Sequence, residues 1–423
     1  MPTTAGIDDI FRRRESLTVS EPRLCWDVST VGSNVAQALA KSHPAVLSIC
    51  EAIKEKGLPH PVRRGSMKND PFVRPSGHGR AFYIDLNTLG QDESTKNPEG
   101  CIAIKGSEAV ATDFVPWMHR LRGHRMYWTF RAFHTLPLQL DTEINNLDRW
   151  PVLERKVPGV LTQAEATNES SIAFEYQKAH LKRYGEFAHL PIPLLVYAWP
   201  DEVCARVRSD LLPLLSKRGA DIVEHTLESG IGIYVYFYPT VPTRLLAEVD
   251  KYEGPGLTLD KDLQYIERMS TIKSGGLDVQ RIIEGWTKVL VQMMAVGYLP
   301  KDPGSLLTAD CMQPWNVCVD GGWVDLDSVV PIESLLDEKE ISDVVRRSVR
   351  ALAINICYLM VGKAALSTGI RDRFVEIDWL VMNEVSRRIL EEDRERGVDD
   401  RLRKVFATSG LYPGLDRLFS LAY

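Results

Sequence analysis

The sequence predicts an α+β protein of two lobes, in which strands dominate the first part of the chain and helices the second. β-prone runs rich in Ile, Val and Tyr occur as far as Tyr238, and one long helical segment interrupts them. Beyond Pro242 the apolar residues recur mainly at helical spacing. The chain has 423 residues, 44% of them hydrophobic, so it is long enough to bury a sizeable core.

The composition predicts three consecutive segments. Residues 1–75 form a helical N-terminal extension, residues 76–240 a β-rich lobe, and residues 241–423 a mainly helical lobe. The extension carries a helix from about Asn34 to Lys56. A stretch rich in Pro, Gly, Arg and Lys follows between Gly57 and Gly79, and its composition is typical of an irregular connection.

The β-rich lobe is predicted to contain one helix among several strands. The predicted strands are Arg80–Leu86, Cys101–Lys105, Leu190–Trp199 and Gly230–Tyr238. The helix is predicted over Thr162–Tyr184, because Thr162 is a good N-cap, Glu165 follows it as in a capping box, and Gly185 stands where the helix would end.

The second lobe is predicted to be helical with one β-rich interruption. The clearest helices are Val279–Val296, Glu338–Met360 and Phe374–Glu392. The interruption, Asn316–Val330, contains two short strands joined by the tight turn Asp320-Gly321-Gly322. It therefore predicts a β-hairpin with an acidic end.

This hairpin predicts a magnesium site. Asn316 begins one strand, and Asp325 and Asp327 lie near the end of its partner, so their oxygens are expected to converge. Mg²⁺ prefers a few oxygen ligands from protein and takes the others from phosphates and water. An asparagine and an aspartate hold the metal in this way in protein kinases. A surface hairpin with solvated acids is the alternative.

Lys105 ends an apolar β-like run, CIAIK, where burying its ammonium requires an anionic partner. Phosphate oxygens are one such partner. We expect Glu175, on the helix that follows, to hold the ammonium in place, with Glu169 as the alternative. A lysine of an edge strand that points to water is the simpler interpretation of the same pattern.

Gly77, Gly79 and Arg80 precede the first predicted strand of the β-rich lobe. Glycines allow backbone N–H groups to approach a phosphate closely, so these residues are candidates for nucleotide binding. A plain turn has the same sequence pattern.

The bulk composition excludes several classes of partner. The 51 Lys and Arg residues against 57 Asp and Glu give a net charge of -6, so nucleic acid is not expected as a general partner. No apolar run is long enough to span a bilayer, and no secretory signal is evident. The 7 cysteines form no C-x-x-C pair, which suits reduced thiols. We therefore expect a soluble, cytoplasmic protein.

The motifs resemble those of one known family, the selenoprotein-O family. The matching segments keep the family's order along the chain: GHGRA (Gly77–Ala81), IKGS (Ile104–Ser107), SSI (Ser170–Ile172), VGY (Val296–Tyr298) and CMQPWNV (Cys311–Val317). The sequence departs from the family in its C-terminus, which lacks the selenocysteine or cysteine motif, and in an insertion over Leu299–Ala309.

The resemblance implies a bilobal protein-kinase-like fold, a layout that the strand-rich and helix-rich halves also favour. It implies a Mg-ATP-dependent enzyme that transfers AMP to a hydroxyl acceptor. It further implies that Lys105 contacts the phosphates, that a helix glutamate pairs with Lys105, and that Asn316 holds the metal with Asp325 or Asp327.

The reaction itself stays open at this point. In ordinary kinases an aspartate precedes the metal asparagine by five residues, and here that position is Cys311. Asp310, one residue further away, is the candidate base if the loop carries an extra residue. The absence of an aspartate at the position of Cys311 favours adenylyl transfer. The alternatives are a kinase acting on a protein or small molecule, an ATP-dependent ligase, and a pseudokinase without turnover.

Overall fold

A computed structural model describes residues 22–31, 34–58, 73–75, 81–86, 100–106, 161–211, 224, 227–239, 279–301, 312, 316–318, 321–326, 328–361 and 370–408. Helices and antiparallel strands both contribute to the fold, so the predicted α+β class is confirmed.

The chain forms two compact units. Unit 1 comprises Met1–Phe174, Pro191–Val241 and Glu248–Gly256. Unit 2 comprises Glu175–Leu190, Pro242–Ala247 and Leu257–Tyr423. One long helix therefore begins in unit 1 and ends in unit 2.

Unit 1 contains a six-stranded sheet in the order β1-β5-β6-β4-β3-β2, in which every neighbouring pair is antiparallel. Its strands are β1 (Arg23–Asp27), β2 (Val73–Pro75), β3 (Ala81–Asp85), β4 (Cys101–Lys105), β5 (Ile192–Ala198) and β6 (Gly232–Tyr238). The four predicted strands correspond to β3, β4, β5 and β6. Strands β1 and β2 come from the first 75 residues, so this segment contributes to the sheet as well as to helices.

The central strands of the sheet are buried along their whole length. Every residue of β4, β5 and β6 is buried, including the run GIYVYFY of β6. Such continuous apolar runs, rich in aromatic and β-branched residues, are favoured where both faces of a strand are covered. The central position of β4 places Lys105 opposite Tyr234 of β6 rather than at a solvent edge.

Two short helices follow β1: α1 (Asn34–Ser42) and α2 (Pro44–Lys56). They replace the single helix that was predicted over this region, because Pro44 begins a new helix at its N-terminal position. An ion pair of 2.8 Å between Lys54 Nζ and Asp27 Oδ2 ties α2 to the end of β1. Since Asp27 is buried, this pair fixes where the first helices pack.

The long helix α3 spans Gln163–Tyr184, close to its predicted bounds. Its capping box is confirmed: the Glu165 N–H donates to Thr162 Oγ1 at 3.0 Å, and the Thr162 N–H donates to Glu165 Oε2 at 2.8 Å. Gly185 ends the helix with a φ of 76°, and its N–H donates to the Leu181 carbonyl at 2.9 Å.

Unit 2 consists mainly of helices around one small sheet. After α3, helix α4 (Asp201–Leu211) belongs to unit 1. The further described helices, α5 (Val279–Ala295), α6 (Glu338–Val361), α7 (Ile370–Arg396) and α8 (Asp400–Thr408), belong to unit 2. Helix α6 packs against α5, α7 and α8. The three helices predicted in this half are confirmed.

The small sheet of unit 2 was not predicted. It pairs β7 (Tyr298–Pro300) with β8 (Val329–Pro331) in antiparallel register. Both strands are too short to carry a clear alternation in sequence.

Among the described residues no helix is long and apolar enough to cross a membrane.

Candidate functional site

Lys105 and Glu169 form a buried ion pair in unit 1. Lys105 Nζ lies 2.7 Å from Glu169 Oε2, and the two side chains are 8% and 1% exposed. The residues are 64 positions apart in sequence. Burying a lone ammonium or carboxylate is costly, so each of these charges depends on its partner.

Glu169, rather than the preferred Glu175, is therefore the partner of Lys105. Successive residues of a helix are rotated by about 100°, so two positions six residues apart face different directions. Ala166, Glu169 and Ala173 follow the buried face of α3. Glu175 instead pairs with Lys178 at 3.1 Å, and both of these side chains are about half exposed. The expectation for Glu175 was wrong.

Close backbone packing fixes the end of β4 where Lys105 lies. The next residue, Gly106, has a φ of 92°, and a Cβ built on it would collide with the Gly232 carbonyl of β6. Gly232 is equally confined, since its Cβ would stand 2.9 Å from Ala166 Cβ of α3. Only glycine satisfies both the left-handed backbone and the close approach. The glycine after Lys105 thus brings β4, β6 and α3 together around the ion pair.

Asn316 and Asp325 lie in the predicted hairpin of unit 2. Val317 and Trp323 form an antiparallel bridge, and the Val324 N–H donates to the Asn316 carbonyl at 3.0 Å. Asn316 therefore stands opposite the residue that precedes Asp325. Asn316 is 3% exposed and Asp325 is 4% exposed. The burial of Asp325 contradicts, for this residue, the alternative of a surface hairpin with solvated acids.

The turn of the hairpin packs against helix α5. Gly321 has a φ of 87°, and a Cβ at this position would lie 2.6 Å from Trp286 Cδ1 and 3.1 Å from Trp286 Cα. Trp286 itself is fully buried. The hairpin is thus held against α5 by a contact that only glycine permits.

A second contact supports the segment that leads into the hairpin. Asn355 of α6 is buried, and its Nδ2 donates to the Met312 carbonyl at 2.9 Å. A buried carbonyl needs a donor, and the amide of Asn355 supplies one from a neighbouring helix. Sequence reasoning missed Asn355, because an isolated asparagine in a helix gives no signal of its distant partner.

The hairpin offers oxygen ligands that suit Mg²⁺. The amide oxygen of Asn316 and the carboxylate of Asp325 are hard donors from the two sides of one hairpin. Among the residues that the structure describes, no group of three or more His, Cys, Asp and Glu side chains could hold a metal ion. A Mg²⁺ ion at the hairpin would accordingly take its other ligands from phosphates and water, which is common for this ion.

Several predicted site residues lie outside the described residues. These are the glycine-rich candidates Gly77, Gly79 and Arg80, the candidate base Asp310, and the second candidate metal ligand Asp327. Their roles stay predictions. Of the predicted site, the described part of the chain thus contains Lys105 and its glutamate in unit 1, and Asn316 and Asp325 in unit 2.

No protein-family model matches the chain, and a search of the curated proteins finds no match. The resemblance to the selenoprotein-O family is carried by its short ordered motifs alone, and it stays a prediction.

Proposed function

We propose that the protein is a Mg-ATP-dependent transferase that moves AMP to a hydroxyl acceptor, on a bilobal protein-kinase-like fold in the cytoplasm. The observation that carries this proposal is the buried ion pair between Lys105 and Glu169. Protein kinases hold the phosphate-binding lysine of a strand by a glutamate of the helix that follows. Here β4 provides the lysine and α3 provides the glutamate.

The ammonium of Lys105 neutralises phosphate oxygens of ATP. Glu169 keeps the side chain extended and charged, because a desolvated ammonium is stable only beside an anion. A single buried pair of this kind adds little net stability, so its presence in the core favours a role in binding over a role in folding. Lys105 is therefore the residue whose loss costs most in nucleotide binding.

Asn316 and Asp325 hold Mg²⁺, with Asp327 as the other candidate ligand. The metal supplies charge neutralisation on the triphosphate. The chain's own contribution is position: the bridge between Val317 and Trp323 joins the two sides of the hairpin that carries both residues, and Gly321 packs its turn on Trp286. Transfer to a hydroxyl requires this positioning and charge neutralisation more than covalent chemistry.

AMP transfer is favoured over phosphoryl transfer by one position in the sequence. Cys311 stands five residues before Asn316, where a protein kinase has its catalytic aspartate. In AMP transfer the acceptor oxygen would bond to the α-phosphorus and lose its proton to solvent, while the bond from the α-phosphorus to the oxygen that bridges to the β-phosphate would break, so that pyrophosphate leaves. A kinase acting on a small molecule or protein is the second candidate, with Asp310 as its base. A pseudokinase that binds nucleotide without turnover is the third.

Labelled ATP distinguishes these functions. The purified protein is incubated with Mg²⁺, a cell extract as acceptor pool, and ATP labelled on either the α- or the γ-phosphate. We expect acceptors to retain the α label and not the γ label. Retention of the γ label alone would establish a kinase. Nucleotide binding without any transfer would establish the pseudokinase.

Matched variants test the assigned residues. Lys105→Met, Glu169→Gln and Asn316→Ala are expected to lower label transfer by about 100-fold or more, since Lys105 binds the phosphates, Glu169 positions Lys105, and Asn316 is a ligand of the metal. Glu175→Gln is the control, because it changes a glutamate of the same helix that lies on the exposed face. Equal transfer by wild type and all four variants would exclude the site.

A further inference from the structure

Unit 2 contains a cavity of about 300 Å³ that the proposed nucleotide chemistry does not use. One wall is the last part of α3, another is the turn and strand from Val296 to Tyr298, and the third is β8 with the residues that follow it. Its volume is at the lower end of the range for ligand sites, so it suits a small molecule.

Charged side chains of both signs line this cavity. Glu175 and Lys178 neutralise each other through their ion pair of 3.1 Å. Lys182 and Glu333 also line the cavity, and neither has an ion-pair partner among the described residues. Of the described residues that line the cavity, the exposed Lys182 is a cation and the exposed Glu333 an anion without an ion-pair partner. A ligand that carries both charges would complement them.

Tyr298 supplies an aromatic surface of fixed orientation. Its ring packs edge-on against Tyr176, with the ring centroids 5.5 Å apart and an angle of 73° between the planes. Burial raises the pKa of Tyr298, and the nearby carboxylates of Glu175 and Glu333 raise it further. The hydroxyl thus stays protonated, and the carboxylates beside it make this end of the cavity attractive to a cation.

Gly297 keeps the wall of the cavity open. It has a φ of 89°, and no atom lies within 4 Å of the position where a Cβ would stand. The Gly297 carbonyl accepts a hydrogen bond of 2.8 Å from the Ile332 N–H, which joins the turn to the segment that carries Glu333. The space beside Gly297 is therefore bounded by backbone that is itself held in place.

We propose that this cavity binds a small zwitterion of the free amino acid class, with its carboxylate at Lys182 and its ammonium at Glu333 beside the ring of Tyr298. Each charge of the ligand then meets a residue of opposite charge that has no ion-pair partner among the described residues. The inference does not rest on the ATP-dependent activity, and its test does not involve nucleotide.

The test begins with thermal shifts of the full-length protein in the presence of each proteinogenic L-amino acid at millimolar concentration, because a ligand that binds only the folded state raises the melting temperature. The amino acid with the largest shift is then titrated by calorimetry beside its N-acetyl derivative and its carboxamide. We expect each derivative to bind about tenfold or more weakly, since each lacks one charged hydrogen bond.

Variants assign the two charges separately. With Lys182→Gln we expect the amino acid and its carboxamide to bind equally, and with Glu333→Gln we expect the amino acid and its N-acetyl derivative to bind equally. Ala179→Leu fills the cavity from α3 and should abolish binding. Lys339→Gln changes an exposed lysine that does not line the cavity, and it should bind like the wild type.

Three results would overturn the inference. Absence of any binding among the amino acids would show that the cavity is only a surface depression. Equal binding of the parent and either derivative by the wild type would show that one charge is not recognised. Binding that survives Lys182→Gln, Glu333→Gln and Ala179→Leu unchanged would place the amino acid elsewhere.

Discussion

The candidate site residues of unit 1 and those of unit 2 are brought together in different ways. In unit 1, Lys105 and Glu169 are 64 residues apart and meet because a central strand and a long helix pack together. In unit 2, Asn316 and Asp325 belong to one hairpin, and their proximity is local. The first arrangement depends on packing between regular elements, whereas the second depends on the geometry of one turn.

This difference explains which residues the sequence identified. A tight glycine turn between two short apolar runs predicts its own register, so the relation of Asn316 to Asp325 follows from local rules. The partner of Lys105 depends on which face of α3 meets the sheet. That face is set by packing, and the sequence alone did not distinguish Glu169 from the preferred Glu175.

The largest expected effect comes from breaking the long-range ion pair between Lys105 and Glu169. Glu169→Ala leaves the ammonium of Lys105 buried without its carboxylate, and we expect a loss of about 3–5 kcal/mol in the free energy of unfolding. Glu175→Ala, which removes a half-exposed partner, should cost less than about 1 kcal/mol. Urea denaturation measures both.

A double variant separates charge burial from packing. Lys105→Met combined with Glu169→Leu replaces both charges by apolar groups, and it should recover much of the stability lost by Glu169→Ala alone. Its ATP-dependent label transfer should stay absent. Equal stabilities of Glu169→Ala and Glu175→Ala would mean that the ion pair is not a buried contact in solution.

The next largest effect concerns the local hairpin. Gly321→Ala forces a Cβ onto a φ of 87° and against Trp286, so we expect a loss of about 2–4 kcal/mol. Gly185→Ala is the control, because its φ of 76° imposes a similar backbone strain while no atom lies within 4 Å of the added Cβ. It should cost about 1–2 kcal/mol. Identical losses in thermal denaturation would argue against the close approach to Trp286.

A smaller effect tests the support of the hairpin by α6. Asn355→Leu removes the donor to the buried Met312 carbonyl, and we expect a loss of about 1–3 kcal/mol together with weaker label transfer. Ser348→Ala serves for comparison, since Ser348 is buried on the same helix but donates within it, to the Val344 carbonyl. If Asn355→Leu and Ser348→Ala behaved alike in both assays, Asn355 would have no part in positioning the site.

The smallest expected effect is on the pH dependence of the unfolding free energy, and it is tested at one histidine from each unit. Burial lowers the pKa of His43 in unit 1 and of His180 in unit 2 below the ordinary value of 6.5. The hydrogen bond to the Glu186 carbonyl and the side chain of Gln292 oppose this shift at His180, and Lys288 adds to it. Both rings are therefore neutral in the folded protein near neutral pH.

The sign of the pH dependence follows from proton uptake. Between the lowered pKa and 6.5 the unfolded chain binds more protons than the folded protein, so stability is lost as the pH falls from 6.5 towards the lowered pKa. We expect His180→Gln and His43→Gln each to make the unfolding free energy less dependent on pH in this range. Denaturation curves across mildly acidic pH measure the slope. An unchanged slope in both variants would assign the acid sensitivity to other groups.

Local signals accounted for much of the fold. Thr162, Glu165 and Gly185 predicted the ends of α3 because a capping box and a C-terminal glycine act within a few residues. The strands β3 to β6 were identifiable from their runs of β-branched and aromatic residues. Strands β1, β2, β7 and β8 were not, because they are short and derive their stability from the partners that they pair with.

The sequence by itself determined the α+β class, the ends of the long helix, the four principal strands and the hairpin that carries Asn316 and Asp325. Only the tertiary structure decided that Glu169 meets Lys105, that Asn355 supports Met312, and that a cavity lies beside Tyr298. The physical reason is the sequence separation over which each interaction acts. Caps, turns and periodicity act between near neighbours in sequence, whereas the partner of a buried charge depends on how distant elements pack.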